Sequence, residues 1–268
     1  MPLTPAAPDY FAEPRSARLT AWGSSLLAGH APPDQVVEEV VGGDERHRVT
    51  GLPGDPEPGE QHGLSWALGR LRVLGAKGLR LALPTEGHLL GLTGPAEFNA
   101  AAMAAGEAVL AVGLAVGLVP EVTAYGPPGD QSVTVLWHCH EVREAPPADV
   151  PSLHEAEREL ADGLREATVL LSRLDVAGAG PEAMRALEQY RRRGHSRVLA
   201  PGYPPRAVRV LESARQVSAL LAIAAGGHGS AVSAAEMAAR SAVLTPLRRT
   251  ARRAQVAAYN ALADEAGG

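Results

Sequence analysis

SVTVLWHCHEV, residues 132–142, decides the fold. Side chains alternate between faces of a strand, so Val133, Val135, Trp137 and Cys139 point one way and Thr134, Leu136, His138 and His140 the other. β-branched and aromatic residues suit such a pleated, half-buried surface. The turn Gly126-Pro127-Pro128-Gly129-Asp130 precedes the stretch, and Ala145-Pro146-Pro147 breaks the chain after it. Helical periodicity dominates beyond that break and strand-like segments precede it.

Upstream, Ala17 to Leu27 and Pro33 to Val41 read as short helices, and Arg46 to Thr50 as a brief strand in a Gly/Pro/acid-rich loop from Gly42 to Gly63. Leu64, Ala67, Leu68, Leu71 and Leu74 recur at helical spacing. Leu79, Leu81 and Leu83 alternate as a strand, with His88 to Leu92 its expected hairpin partner across Thr85-Glu86-Gly87. Gly94-Pro95 opens a helix to Ala105, and strands follow near Val109 to Val112 and Leu118 to Tyr125.

Downstream, Ser152 and Glu155 form a capping box. Leu153, Ala156, Leu160, Leu164, Ala167, Leu171 and Leu174 then trace the apolar face of a helix of about 22 residues. A shorter helix is expected from Gly178-Pro181 to Arg193, and another from Pro204-Pro205 with Val210, Leu211, Ala214, Val217 and Leu221 inward. After the loop GGHGS, Ser233 and Glu236 suggest a further capping box, and Thr245-Pro246 the start of a last helix. The class is α+β: an N-terminal mixed sheet of four to six strands with flanking helices, then a C-terminal helical bundle. Residues 1–41 form an arm and short helices, 42–148 the sheet-containing domain, and 149–268 the helical domain.

At 268 residues, 46% hydrophobic and 21% charged, the chain can bury a core and is not compositionally disordered. Its one cysteine precludes an internal disulfide and suits a reducing, cytoplasmic setting. The N-terminus lacks the basic and apolar regions of a signal peptide. The apolar run Ala108 to Pro120 is shorter than the roughly 20 residues of a membrane span.

Charge is unevenly spread. Residues 1–150 hold 9 basic and 18 acidic side chains, whereas 181–253 hold 13 arginines against 4 glutamates. Arg191, Arg192, Arg193 and Arg197 make a basic loop at a helix end. Arg248, Arg249, Arg252 and Arg253 lie on two adjacent i,i+4 rows, where like charges repel unless something acidic covers them. The cover could be an acidic protein partner, a second copy, nucleic acid or the chain's own acidic half.

Other chemistry is sparse. His138 and His140 share a face at a spacing two metal ligands could use, but no third ligand is indicated. Cys139 faces away from both, so neither can serve as its base. No phosphate-loop, dinucleotide, zinc-protease or serine-hydrolase motif is present, so no cofactor is implied and a non-enzymatic protein is expected. VSAAEMAARSAVLTPLRRTARRA resembles a helix-turn-helix, with Ser233 to Ser241 as first helix and Pro246 onward as recognition helix.

LRLALPTEGHLLGLTGPAEFNAAAMAAGEAVL and VSAAEMAARSAVLTPLRRTARRAQVAAYNAL together resemble uncharacterised actinobacterial proteins of similar length. That likeness implies no activity. The expectation is a binding, assembly or regulatory protein presenting its arginine face to an acidic partner. The alternatives are a DNA-associated regulator and a metal-dependent enzyme built on His138 and His140.

Overall fold

The computed structural model describes residues 13–57, 59–127, 130–173, 199–226 and 234–267. In chain order the elements are α1 (Arg15–Leu27), α2 (Pro33–Val41), β1 (Arg46–Thr50), β2 (His62–Gly63), α3 (Leu64–Leu74), β3 (Gly78–Ala82) and α4 (Ala96–Ala105). There follow β4 (Ala108–Val112), β5 (Val116–Tyr125), β6 (Ser132–Glu141), α5 (Leu153–Arg173), α6 (Pro205–Gly226) and α7 (Ala234–Gly267). The class is α+β, with helices packed against one mixed sheet.

The six strands run in the order β2-β1-β6-β5-β4-β3. β1 and β6 pair in parallel, and the other four neighbouring pairs are antiparallel. The 132–142 stretch is thus an interior strand, paired with β1 on one side and along its whole length with β5 on the other. Its alternation has the expected consequence: Val135 and Trp137 are fully buried in the main core, while Leu136, His138 and His140 face a more open surface.

That main core lies on one face of the sheet, under α1, α3 and the last turns of α7, and continues among the described helices α5, α6 and α7; α4 covers part of the other face with Phe98 and Ala102. Helix α1 has buried residues on all sides, and they are mostly small: Ser16, Ala17, Thr20, Ala21, Gly23, Ser24 and Ser25. Small side chains let it lie almost on the sheet. A Cβ at Gly23 would come within 2.3 Å of the Leu79 side chain.

Two expectations are corrected. β3 pairs with β4, from Gly78 opposite Val112 to Ala82 opposite Ala108, and His88 to Leu92 is not a strand. Thr85 and His88 close a tight turn, and Gly91, at φ +90, passes over Ala82, where a Cβ would be 2.7 Å from the Ala82 Cα. Leu83 N bonds Leu90 O at 3.1 Å, so the returning chain pairs with residues 83–85 just beyond β3, and only from Gly91 does it pass over the strand instead of running beside it. Nor does Thr245-Pro246 begin a helix: α7 is continuous from Ala234 to Gly267 with Pro246 inside. An interior proline forfeits one helical hydrogen bond and costs about 3 kcal/mol, which burial of Leu244, Leu247 and Ala251 offsets.

α7 packs with α5 and α6 as a bundle, with Gln255 donating to Ser218 of α6 at 2.9 Å and Arg253 meeting Glu159 of α5, and its last turns also lie against α1 and β3. There β3 is an edge, and an edge carries unpaired backbone groups. Ser24 Oγ donates to Leu79 O (3.0 Å) and accepts from Leu79 N (2.9 Å). Asn260 does the same for Leu81, Oδ1 accepting from its N–H at 2.7 Å and Nδ2 donating to its carbonyl at 3.3 Å. Two helices thereby stand in for the missing strand. Among the described residues no helix is long and apolar enough to cross a membrane.

Candidate functional site

The four arginines of α7 divide into two pairs. Arg249 and Arg253 turn toward the segment joining β6 to α5, where both reach Asp149: Arg249 Nη2 to Oδ2 at 3.0 Å and Arg253 Nη2 to Oδ1 at 3.3 Å. Arg253 also meets Glu159 of α5 at 3.0 Å. His88 Nε2 approaches Asp149 Oδ2 at 2.6 Å, so three cationic or donor groups converge on one carboxylate. Burial pushes the Asp149 carboxyl up, but Arg249, His88 and Arg253 together hold it below its ordinary value. The backbone serves this geometry: Asp149 has φ +54, a left-handed conformation that short polar residues tolerate best. Main-chain bonds from Gly91 N to Ala148 O and from Ala148 N to Leu92 O hold the segment in place. For these two arginines the acidic cover comes from the chain itself.

Arg248 and Arg252 take no part in that cluster. Arg248 is exposed and Arg252 half-buried. Among the described residues neither makes an ion pair or hydrogen bond. Burial lowers the Arg252 pKa first and the Arg248 charge one turn away lowers it further; no carboxylate acts in the other direction there. The neighbouring capping box is as expected, with Ser152 Oγ and N both donating to Glu155 and Glu155 N donating back to Ser152 Oγ. Arg191, Arg192, Arg193 and Arg197, the helix expected before Arg193, residues 227–230 of the GGHGS loop and the Ser233 cap lie outside the described residues, while Gly226 ends α6.

On the sheet, His138 and His140 do share a face. His138 Nε2 lies 2.7 Å from Glu121 Oε2 on β5, while the His140 ring tilts against Phe98. Among the described residues no three His, Cys, Asp or Glu side chains gather as a metal site. Burial pushes the Cys139 thiol up to about 11, far from a thiolate nucleophile at neutral pH.

One charged cluster was invisible in the sequence. Asp44 accepts from Arg15 Nε and Nη2 (both 2.7 Å), from Arg18 Nη2 (3.0 Å) and from His47 Nε2 (3.0 Å). The other imidazole nitrogen, Nδ1, accepts from Trp137 Nε1 at 3.3 Å. With Nδ1 accepting and Nε2 donating, His47 is neutral, and burial lowers its pKa accordingly. A carboxylate followed by an imidazole is the order of a catalytic relay, but the next group is an indole donor and the His47 side chain is fully buried. It therefore anchors Trp137. An open depression of about 400 Å³ lies between the end of β4 and residues 142–147. It is bordered by Arg80, Thr93, Arg143 and Glu144, and Arg80 is already held by Asp264 at 2.7 Å.

Comparison with known proteins gives two family profiles: Rv1486c-like protein, N-terminal domain, over residues 16–150, and Rv1486c-like protein, C-terminal domain, over residues 154–256. An uncharacterized protein, Rv1486c, of Mycobacterium tuberculosis H37Rv is 28% identical over 203 residues, 64% of this chain and 69% of that protein. Uncharacterized protein MT1533 of M. tuberculosis CDC 1551 is 28% identical over 195 residues, 61% and 66% of the two chains. A Mycobacterium avium protein, MAV321, is 27% identical over 199 residues, 62% and 64%. No solved structure matches.

Proposed function

This chain belongs to the Rv1486c-like family, and we propose that it is a non-enzymatic assembly protein whose helix α7 holds an acidic protein partner through Arg248 and Arg252. One observation carries the reading: Arg252 is half-buried, one turn from a like charge, and has no carboxylate among the described residues. A charge removed from water without a counter-charge is costly, and like charges four residues apart on a helix repel. A partner carboxylate between the two guanidinium groups relieves both penalties. The chain's own first half, with 18 acidic residues against 9 basic, makes a second copy one candidate partner. A single, half-buried cysteine fits work in the cytoplasm.

We favour this reading over the helix-turn-helix form of the DNA-binding alternative. A helix-turn-helix needs a turn between its helices, and residues 242–245 are helical. The test is quantitative capture from native lysate by wild type, by Arg248→Ala/Arg252→Ala and by Arg249→Ala/Arg253→Ala. The first double variant should lose the partners that the second retains, because Arg249 and Arg253 are already matched within the chain. Identical partner lists for wild type and Arg248→Ala/Arg252→Ala would end the proposal.

A further inference from the structure

The two long edges of the sheet are finished differently. That of β3 is closed by Ser24 and Asn260. β5 is not closed along its outer half. β4 pairs with β5 only from Val116 to Leu118, whereas β6 accompanies β5 to Tyr125. From Pro120 onward the other side of β5 has no strand beside it among the described residues.

Which backbone groups point into that space follows from the ladder. Val142 N bonds Ala115 O, so Ala115 is a hydrogen-bonded partner of the β6 line. The β5–β6 register continues unbroken, from Val116 opposite Glu141 to Tyr125 opposite Ser132. In an antiparallel ladder bonded and non-bonded pairs alternate. The odd-numbered residues therefore bond β6, and Pro120, Val122 and Ala124 direct their backbone groups outward. Pro120, which has no N–H to offer, stands at an outward position, as this parity requires.

Proteins guard such edges with proline and charge. Here the guard stops early. Pro120 and Glu121 supply it, and Glu121 is paired with His138. Val122-Thr123-Ala124-Tyr125 carries neither, and Val122 and Tyr125 are each 44% exposed.

We infer that two copies of this chain join through the outer half of β5, pairing antiparallel about a two-fold axis at Thr123. In that register each Val122 exchanges both main-chain bonds with the partner's Ala124, and Thr123 faces the partner's Thr123. Glu121 lies across from the partner's Tyr125, so no like charges oppose. The occupant is a second copy because the described residues offer one open edge of useful length. β3 is capped and β2 is two residues long, so a head-to-tail chain of protomers has no second edge to use among them. Isologous pairing closes the assembly. One strand pair is smaller than a standard interface of about 800 Å² per partner, so the dimer should dissociate in the micromolar range. This surface is separate from the arginines of α7.

The test is light scattering or sedimentation across concentration, with cysteine cross-linking. Wild type should pass from monomer to dimer. Val122→Pro/Ala124→Pro deletes outward N–H groups alone, and should remain monomeric with an unchanged circular dichroism spectrum. Thr123→Cys should give a disulfide-linked dimer on oxidation, because the facing Cα atoms of a non-bonded pair sit about 4.5 Å apart, within disulfide range. Glu121→Cys should not, its two copies being about 13 Å apart along the strand. Monomeric wild type at about 200 µM, far above a micromolar dissociation constant, would overturn the inference. So would cross-linking at residue 121 as ready as at 123. Should the proline variant fail to fold, the cysteine pair decides alone, and Arg248→Ala/Arg252→Ala should leave the dimer intact.

Discussion

Asn260→Ala would remove the clasp between α7 and the sheet. The Asn260 side chain, fully buried, satisfies both backbone groups of Leu81, itself fully buried. Alanine leaves that N–H and C=O without partners and without room for a full hydration shell. An orphaned buried polar group costs about 1–3 kcal/mol, so two of them amount to about 2–6 kcal/mol, with about 4 kcal/mol the central value. For a chain of this size each kcal/mol moves Tm by about 2–4 °C, so Tm should fall by about 10 °C. Urea unfolding measures the free-energy change, and amide hydrogen exchange at Leu81 tests the cause, since that N–H should lose its protection selectively. Ser24→Ala should act alike at Leu79, and the double variant should depart from additivity because both groups secure one strand edge. An Asn260→Ala protein within about 0.5 kcal/mol of wild type, the scatter expected of a neutral surface change, would refute the capping argument. Unchanged protection at Leu81 would refute it as directly.

Two further predictions concern the buried ionisable groups. Burial pushes Asp44 up, but Arg15, His47 and Arg18 outweigh it and hold the carboxyl below its ordinary value. Such a group lends stability above its unfolded pKa and withdraws it as pH falls through the folded one. His47 is also depressed, by burial first, so its share is present above an unfolded pKa of about 6.5 and is lost as pH falls below it. Urea midpoints should therefore fall in two stages on acidification, with His47→Gln flattening the upper stage and Asp44→Asn the lower; a His47→Gln profile parallel to wild type would contradict this. Cys139, pushed up to about 11 from 9.0, should hold about a hundredfold less thiolate at pH 8 than an ordinary thiol. Alkylation should be correspondingly slow until the protein is unfolded, and rapid labelling of the folded protein would argue against a raised thiol pKa.

Much of the architecture was readable where the signal is local. The alternation around Trp137 fixed a half-buried strand, the Ser152–Glu155 box a helix start, and the leucine spacing from Leu64 the helix that is α3. The candidate site was readable only as a set of charges. Nothing in the spacing of Arg248, Arg249, Arg252 and Arg253 separates the pair that Asp149 and Glu159 cover from the pair left open. Asp149 lies about a hundred positions earlier in the chain, and its reach depends on a left-handed backbone turn.

The sequence by itself determined element types and the faces they bury, because side-chain periodicity acts between residues a few positions apart. Tertiary structure alone decided that β3 pairs with β4, that α7 runs unbroken through Pro246, and that Asn260 and Ser24 serve as a surrogate strand. In each case the deciding energy is contact between distant segments: a strand edge needing donors and acceptors, or an apolar helix face whose burial outweighs a lost hydrogen bond. Local propensity carries no record of either.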